Sequence, residues 1–409
     1  MRKKAWIVNP YGALPSEGWL EYRSYKLAKE LLSRGYEVIV WTSKFEHRKK
    51  NFRSKIAFEE NSDIENGFQV IGIDGPGYSS NISLKRIRHE GKFGESFYEQ
   101  AIELDPPEII IIGDPSIFFS KRIIEYSKKN NVKLIVDIID LWPELFKVVL
   151  PKFISSFDRL IFNFLYKRRD KLLSVCDGVV GCTSDYVERV NPPSNKPTEV
   201  AYFGIDTDIF NNPKISKHSE AVKSFTDDSS LSVIFAGTYG SAYDIETIFK
   251  TIELTEKEKA PVKYLFIGDG DYLKDIKKIE NEFSKSVMVL DSMPLDELVH
   301  IYNFFDVGLC TYSKGSTVSM PTKFYDNLGA GLVTITSLNG EILSLVNKHK
   351  LGLKYEAGNH ISLFEAIMKL KNNKQLLIDL KSNANLSAHE FSAISQYKKF
   401  ADFIEKIIA

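Results

Sequence analysis

Cysteine is scarce in this 409-residue chain, with three residues in all. Cys176, Cys182 and Cys310 are odd in number and scattered. They form neither a C-x-x-C site nor a disulfide framework, and read as reduced, mostly buried small hydrophobes. Net charge is missing as well, because 54 Lys and Arg balance 54 Asp and Glu. No global field draws such a chain to nucleic acid, so any basic site is local. No stretch approaches the roughly 20 apolar residues that cross a bilayer. The start, Met1-Arg2-Lys3-Lys4, imitates a signal peptide, but the apolar run after it is only about four residues, against roughly 7–15 in a signal core. Ala5-Trp6-Ile7-Val8-Asn9-Pro10 therefore reads as a first buried strand, and the chain is expected to be cytoplasmic. G-x-G-x-x-G, P-loop and G-x-S-x-G motifs are absent. The seven histidines are scattered and no Cys/His group has ligand spacing. D-x-D occurs at Asp206–Asp208 and Asp269–Asp271, as chance allows among 54 acidic residues, and no metal or other cofactor is predicted.

What is present is alternation. In the first half, short apolar runs at 5–9, 37–42, 68–73, 108–113, 133–138 and 178–182 alternate with helical patterns at 20–34, 84–104, 116–129, 152–175 and 184–190. Ile109-Ile110-Ile111-Ile112 has no polar alternation, as in a strand covered on both faces. Such a pattern predicts a parallel sheet wrapped by helices. Breakers at Asn191-Pro192-Pro193 and a polar stretch through Ser230 interrupt it. The alternation then resumes, with strands at 231–236, 262–267, 287–290, 307–310, 332–336 and 352–355. Helices are predicted at 243–257, 271–283, 295–304, 321–329, 340–348, 360–371 and 374–386. A last helix near 391–407 carries Phe400, Phe403 and Ile407 at helical spacing. Two doubly wound α/β domains are predicted, 1–203 and 204–390, with 391–409 crossing back to the first. Ligands of such sheets bind in loops after the strands.

Five loops stand out. Asn9-Pro10-Tyr11-Gly12-Ala13-Leu14-Pro15-Ser16-Glu17-Gly18 is long for a strand–helix connection and precedes a helix with Arg23. Asp140-Leu141-Trp142-Pro143-Glu144 brings two carboxylates and an indole off an apolar strand. Asp140 or Glu144 can accept a hydroxyl proton there, and Trp142 offers an apolar face. The competing reading is an N-cap at Asp140 with Trp142 in the core. Gly237-Thr238-Tyr239-Gly240 and Gly268-Asp269-Gly270 are glycine turns after strands, suited to close approach of a diphosphate or simply tight turns. The fifth is Lys314-Gly315-Ser316-Thr317-Val318-Ser319-Met320-Pro321-Thr322-Lys323, continuing to Asp326 and Gly331. Its small residues offer donors to phosphate, and Pro321 suits a helix start. Lys323 and Asp326 share a helix face, one placed for phosphate and the other for ribose hydroxyls. A plain helix-start salt bridge is the alternative.

Taken in order, these loops resemble the family 4 GT-B glycosyltransferases, with the nearest likeness to bacterial fucosyl- and N-acetylfucosaminyl-transferases. The resemblance spans nearly the whole chain and implies two Rossmann-like domains facing a central cleft. It implies a retaining, metal-independent transfer from a UDP- or GDP-sugar to a saccharide or lipid-linked saccharide acceptor, in surface polysaccharide synthesis. It places the donor on Gly237, Thr238, Tyr239, Gly240, Gly268, Asp269, Lys314, Gly315, Ser316, Thr317, Pro321, Thr322 and Asp326. The acceptor falls to Gly12, Glu17, Gly18, Arg23, Trp142 and Glu144, and catalysis to Asp140 and Lys323. Asp326 stands where the family has the second Glu of Glu-x7-Glu. Val318 stands at the first Glu, and Thr238 and Tyr243 stand near the family's usual Arg and Lys. Lys323, Lys314 and Arg23 are the cations left to meet the diphosphate. A nucleotide-sugar 2-epimerase and a non-catalytic sugar-nucleotide-binding partner remain as alternatives.

Residues 147–173 form a basic, aromatic-rich segment. Lys147, Lys152, Arg159, Lys167, Arg168, Arg169 and Lys171 stand against Asp158 and Asp170. Phe153, Ile154, Phe157, Leu160, Ile161, Phe164 and Leu165 recur at helical spacing. The composition fits a helix lying on a membrane surface and equally a core-packed helix with a solvated basic face.

Overall fold

Runs of β-branched and aromatic residues without polar alternation become central strands, because both faces of a parallel sheet are covered. The computed structural model describes residues 3–12, 23–53, 67–81, 83–150, 157–226, 229–316 and 318–409. The chain divides into two compact units, Met1–Tyr202 with Gln396–Ala409, and Phe203–Ser395. The crossings thus fall at 202/203 and 395/396.

In the first unit, β1 (Lys4–Val8), α1 (Arg23–Ser33) and β2 (Glu37–Ser43) lead to a short hairpin, β3 (Phe45–Glu46) and β4 (Asn51–Phe52). β5 (Gln69–Ile73), α2 (Leu84–Ala101), β6 (Ile109–Asp114), α3 (Ser120–Asn130) and β7 (Lys133–Ile138) follow. A 3-10 turn at Glu144–Val149 precedes α4 (Asp158–Ile161) and α5 (Asn163–Val175), then β8 (Gly178–Gly181), α6 (Ser184–Val190) and β9 (Thr198–Val200). The sheet order is β5-β2-β1-β6-β7-β8-β9, paired in parallel. The order reverses between β1 and β6, which opens a crevice at the carboxyl ends of those strands. Trp6, Trp41, Phe97 and Tyr126 cluster under the sheet, with Trp6–Trp41 centroids 5.2 Å apart and Trp6–Tyr126 5.4 Å.

The second unit begins with α7 (Thr207–Asn211) and α8 (Ser219–Phe225), in a stretch that reads as polar linker. Both helices pack, because Ile209, Phe210 and Val222 join a core with Ile234, Leu265 and Tyr302. Then come β10 (Leu231–Ala236), α9 (Ile245–Lys257), β11 (Val262–Ile267), α10 (Leu273–Glu282), β12 (Val287–Leu290) and α11 (Leu295–Tyr302). β13 (Val307–Cys310), α12 (Thr322–Gly329), β14 (Val333–Thr336), α13 (Glu341–His349), β15 (Gly352–Lys354), α14 (His360–Asn372) and α15 (Lys374–Ala388) complete it. The order β12-β11-β10-β13-β14-β15 reverses between β10 and β13. The last helix, α16 (Ala393–Ile408), starts in this unit and runs mostly in the first. There Arg34 pairs with Asp402 at 2.8 Å and with Glu405 at 3.0 Å. The three cysteines are free and buried.

Candidate functional site

Three loops of the second unit hydrogen-bond to one another at the carboxyl edge of its sheet. Gly237 follows β10 and donates to Ile267 O at 2.8 Å. Tyr239 N donates to Asp269 O at 2.8 Å, and Tyr272 N to Tyr239 O at 3.2 Å, so the turns after β10 and β11 are laced together. The loop after β13 joins them: Ser313 N donates to Ala242 O at 2.9 Å, and its hydroxyl to the carbonyls of Ser241 and Tyr243 at 2.8 and 3.0 Å. Glycine is required twice. Gly237 has φ +129°, and a Cβ there would run into Lys323 Nζ; Gly268 has φ +150°, and its Cβ would land on the Gly237 carbonyl.

Lys323 is the pivot. It lies in the first turn of α12, after Pro321, and its Nζ reaches back to donate to the Ala236 carbonyl at the end of β10. Nζ also sits over the rings of Phe235 and Tyr243, 4.4 and 4.8 Å from their centroids. Burial lowers its pKa to about 8, against an opposing pull from Cys310 and Asp326. Tyr243, where an amine was missing from the first loop, is thus the ring on which an amine from α12 rests. Asp326 lies one turn further along α12, and burial pushes its carboxyl up to about 6. There is no Lys323–Asp326 ion pair among the described residues, so the simple helix-start salt bridge does not form. Lys314 and Gly315 are exposed at the outer part of the third loop, Ser316 is half-buried, and Thr317 lies outside the described residues. Thr238, Asp269 and Thr322 are exposed at the same edge, Pro321 is buried, and Gly240 is half-buried. Pro321 makes no side-chain cap, so the first amides of α12 keep donors for a ligand. Sequence reading missed Glu341, which opens α13 beneath this loop and accepts from the Ser319 hydroxyl at 3.4 Å. Its signal was one more glycine turn after a strand, Leu338-Asn339-Gly340.

The first unit carries its own concavity at the β1/β6 reversal, about 300 Å³ in volume. Asn9 after β1, Asp114 at the end of β6 and Asp140 after β7 line it, with Tyr11, His47, Arg86 and Trp142 among the walls. That is the low end of the usual size for a small-molecule pocket and suits one sugar-sized group. Arg86 lies between rings, 4.2 Å from the Trp142 centroid and 5.0 Å from that of Tyr11. It donates to Glu90 at 2.6 Å and to the Asn81 carbonyl at 2.9 Å. Trp142 is therefore buried under an arginine and offers the pocket less of its face than expected. His47 bonds to the Tyr78 hydroxyl at 2.5 Å; burial and then Arg86 lower its pKa to about 4, so it is neutral at pH 7. Asp114 is held through one oxygen by Ser116, at 2.7 Å from both its amide and its hydroxyl, and Oδ2 is buried without a hydrogen-bond partner. Burial pushes the Asp114 carboxyl up to about 6. Asp140 keeps an exposed surface, so its rise to about 6 reflects desolvation by the surrounding walls, opposed by Arg86, and not enclosure. Of these two carboxyls Asp140, which is exposed, is placed to take a hydrogen bond from a hydroxyl, whereas Asp114 is 1% exposed.

Several predicted acceptor residues lie elsewhere. Arg23 does not face a ligand. It is 1% exposed, pairs with Asp137 at 2.8 Å, and its guanidinium lies 5.2 Å from the Phe400 centroid. The reason is the cost of burying a cation: Arg23 ties α1 and α16 to β7, and a buried charge needs that partner. Glu144 is likewise engaged, with Arg169 bidentate at 2.6 and 2.8 Å. Gly12 is buried, and its carbonyl accepts from Arg53 at 2.6 Å. Glu17 and Gly18 lie outside the described residues. Among the described residues no three His, Cys, Asp or Glu side chains gather as a metal site.

Residues 216–387 match the family model described as Glycosyl transferases group 1. The chain carries a glycosyltransferase domain of group 1. The matched residues include the three interlaced loops and Lys323. Sucrose-phosphate synthase from Thermosynechococcus elongatus is 13% identical and superposes with a TM-score of 0.69 over 99% of both chains. HepE from Anabaena, solved in complex with UDP, is 13% identical with a TM-score of 0.67, over 99% of this chain and 100% of that one. WaaG, described as a glycosyltransferase involved in lipopolysaccharide biosynthesis, is 12% identical with a TM-score of 0.62, over 98% and 99%. At such identities the likeness is one of fold, and the fold of this glycosyltransferase is GT-B. The sequence matches none of the curated proteins with which it was compared.

Proposed function

We propose that this glycosyltransferase takes a sugar from a UDP- or GDP-sugar held by the second unit and transfers it to a saccharide hydroxyl held in the first. The observation that carries the reading is Lys323: a buried ammonium placed by a helix start against the first glycine turn, where the diphosphate's charge needs a partner. Asp326, on the same helix, is assigned to the ribose hydroxyls. HepE, of the same fold, was solved with UDP and with UDP-glucose, which favours the uracil nucleotide.

In the proposed reaction the bond from the anomeric carbon to the leaving diphosphate breaks, and the acceptor oxygen attacks the same face. The acceptor's proton passes to the departing phosphate, so configuration is retained and no dedicated base is needed. Lys323 and the amides at the start of α12 offset the charge that develops on the leaving group, without a metal. Preorganised donors of this kind are worth about 3–4 kcal/mol each in other enzymes. Asp140 orients the acceptor. The Asp140-to-Glu144 motif and the fold shared with WaaG favour a saccharide or lipid-linked saccharide acceptor in surface polysaccharide synthesis, at the cytoplasmic side. The test is incubation with a panel of UDP- and GDP-sugars, followed by NMR of the anomeric protons. Slow release of UDP or GDP with a retained anomer is expected. A C2 epimer formed from donor alone, or no turnover of any donor with or without saccharides, would refute the reading.

A further inference from the structure

The basic aromatic segment left two readings open; Lys152, Phe153 and Ile154 of it lie outside the described residues, and the rest bears on the choice. Leu165 is buried, 3% exposed, but Phe157, Leu160, Ile161 and Phe164 are 58, 76, 42 and 56% exposed. These four recur at i, i+3, i+4 and i+7 across the two short elements: Phe157 precedes α4, Leu160 and Ile161 lie in it, and Phe164 lies in the first turn of α5. Folded chains scatter exposed apolar residues singly; a contiguous stripe needs a partner. Arg168 and Lys171 prolong the stripe, and Arg159 and Lys167 flank it, all exposed. None of the four makes an ion pair with a described residue, whereas the nearby Asp158 is buried and accepts from the Tyr166 hydroxyl. A hollow of about 510 Å³ opens beside the stripe, with Arg159, Asn163, Arg169, Asp170, Asn191 and Ser194 among its lining residues. Arg169 is paired with Glu144 and Asp170 carries the opposite charge, so Arg159 is the cation of this lining left to meet a phosphate headgroup, next to the apolar side chains of the stripe.

We propose that the face formed by Phe157, Leu160, Ile161, Phe164, Arg168 and Lys171 docks onto an anionic lipid bilayer, with phosphate headgroups in the hollow beside it. Charge complementarity selects this occupant: among residues 157–175, four cations outside ion pairs stand against one exposed carboxylate, Asp170, which suits a surface of phosphates and repels another basic face. The same helix pair supports the concavity of the first unit. Phe162 and Leu165 pack on Phe146 and Trp142, with Phe146–Phe162 centroids 5.5 Å apart and Trp142–Phe146 4.7 Å. A bilayer under α4 and α5 would therefore lie next to the acceptor pocket, and a lipid-linked acceptor would meet the site without leaving its membrane. This last step rests on the transferase reading; the docking itself does not.

Vesicle flotation of the full chain tests it, with phosphatidylglycerol–phosphatidylcholine vesicles against phosphatidylcholine alone, at low and high salt. The wild type is expected to float with the anionic vesicles at low salt only. Leu160→Asp with Phe164→Asp, at exposed positions that circular dichroism will report as folded, should weaken binding at least tenfold. Arg168→Glu with Lys171→Glu should weaken it by at least about 25-fold, at roughly fivefold per basic residue near an anionic surface. Phosphatidylglycerol vesicles must compete better than free inorganic phosphate. A wild type that stays unbound at low salt, or binding that neither pair alters, overturns the proposal. So does a wild type that ignores vesicles but dimerises through these residues. Donor turnover with a soluble acceptor reads the transferase separately and is expected to be unchanged in both variants.

Discussion

The position of Lys323 predicts a pH dependence of nucleotide binding that few other arrangements would give. Its ammonium is pushed down to about 8 by burial. If the diphosphate binds only the charged form, the apparent Kd scales with the inverse of the charged fraction. That fraction is about nine-tenths at pH 7, one-half at pH 8 and one-tenth at pH 9, so UDP affinity should fall about tenfold from pH 7 to pH 9. The diphosphate's own last proton, with a pKa of about 6 like other phosphate monoesters, is gone before this window, and its loss strengthens binding. Nor is unfolding the cause. A lysine with a depressed folded pKa binds fewer protons in the folded chain between pH 8 and 10.5, so this group adds stability as pH rises there. Calorimetry of UDP binding in two buffers of different ionisation enthalpy should show close to one proton taken up at pH 9. Lys323→Met should lose roughly 10²–10³ in donor turnover, as when one preorganised donor is removed, and its UDP affinity should be flat from pH 7 to 9. A flat profile in the wild type, or the same slope in Lys323→Met, would refute the reasoning.

Further outcomes follow from the same geometry. Gly237→Ala should displace Lys323 Nζ and force a Cβ onto φ +129°, so thermal shift by UDP should vanish while the unliganded chain loses only about 1 kcal/mol or somewhat more. Asp137→Ala should remove the carboxylate paired with the buried Arg23 and lower stability by about 3–5 kcal/mol, read by urea denaturation; a loss below 1 kcal/mol would mean that the Arg23–Asp137 pair is not the clamp described. Transfer to a saccharide should rise with pH through about 6 as Asp140 ionises, and Asp140→Asn should abolish that limb while leaving UDP affinity unchanged.

Much of the frame was legible because both sheets are parallel and buried. The strands at 133–138, 231–236, 262–267, 287–290 and 307–310 match the apolar runs residue for residue. The strand at 198–200 was missed because its Thr-Glu-Val is an edge with little apolar signal. Helices Thr207–Asn211 and Ser219–Phe225 hid in a polar stretch, since so few side chains hold them: half-buried Ile209 and Phe210 in the first and buried Val222 in the second. Site residues were legible where glycine or proline marks a turn, as at Gly237, Gly268 and Pro321. Arg23 misled because an arginine in a helix after a long loop reads the same whether it meets phosphate or a buried carboxylate 114 residues away. Arg86, His47 and Asp114 were missed because the first sits on a helix, the second in a turn of the small hairpin, and the third ends an apolar strand. Only the fold brings them into one hollow.

The central claim is that a nucleoside diphosphate settles on the three interlaced loops and the start of α12. Hydrogen–deuterium exchange of the full chain with and without saturating UDP measures this directly. Protection should concentrate in peptides spanning 236–243, 267–272 and 312–326, and be lost in Lys323→Met at the same UDP concentration. Protection confined to other segments, or none at millimolar UDP, would contradict the account.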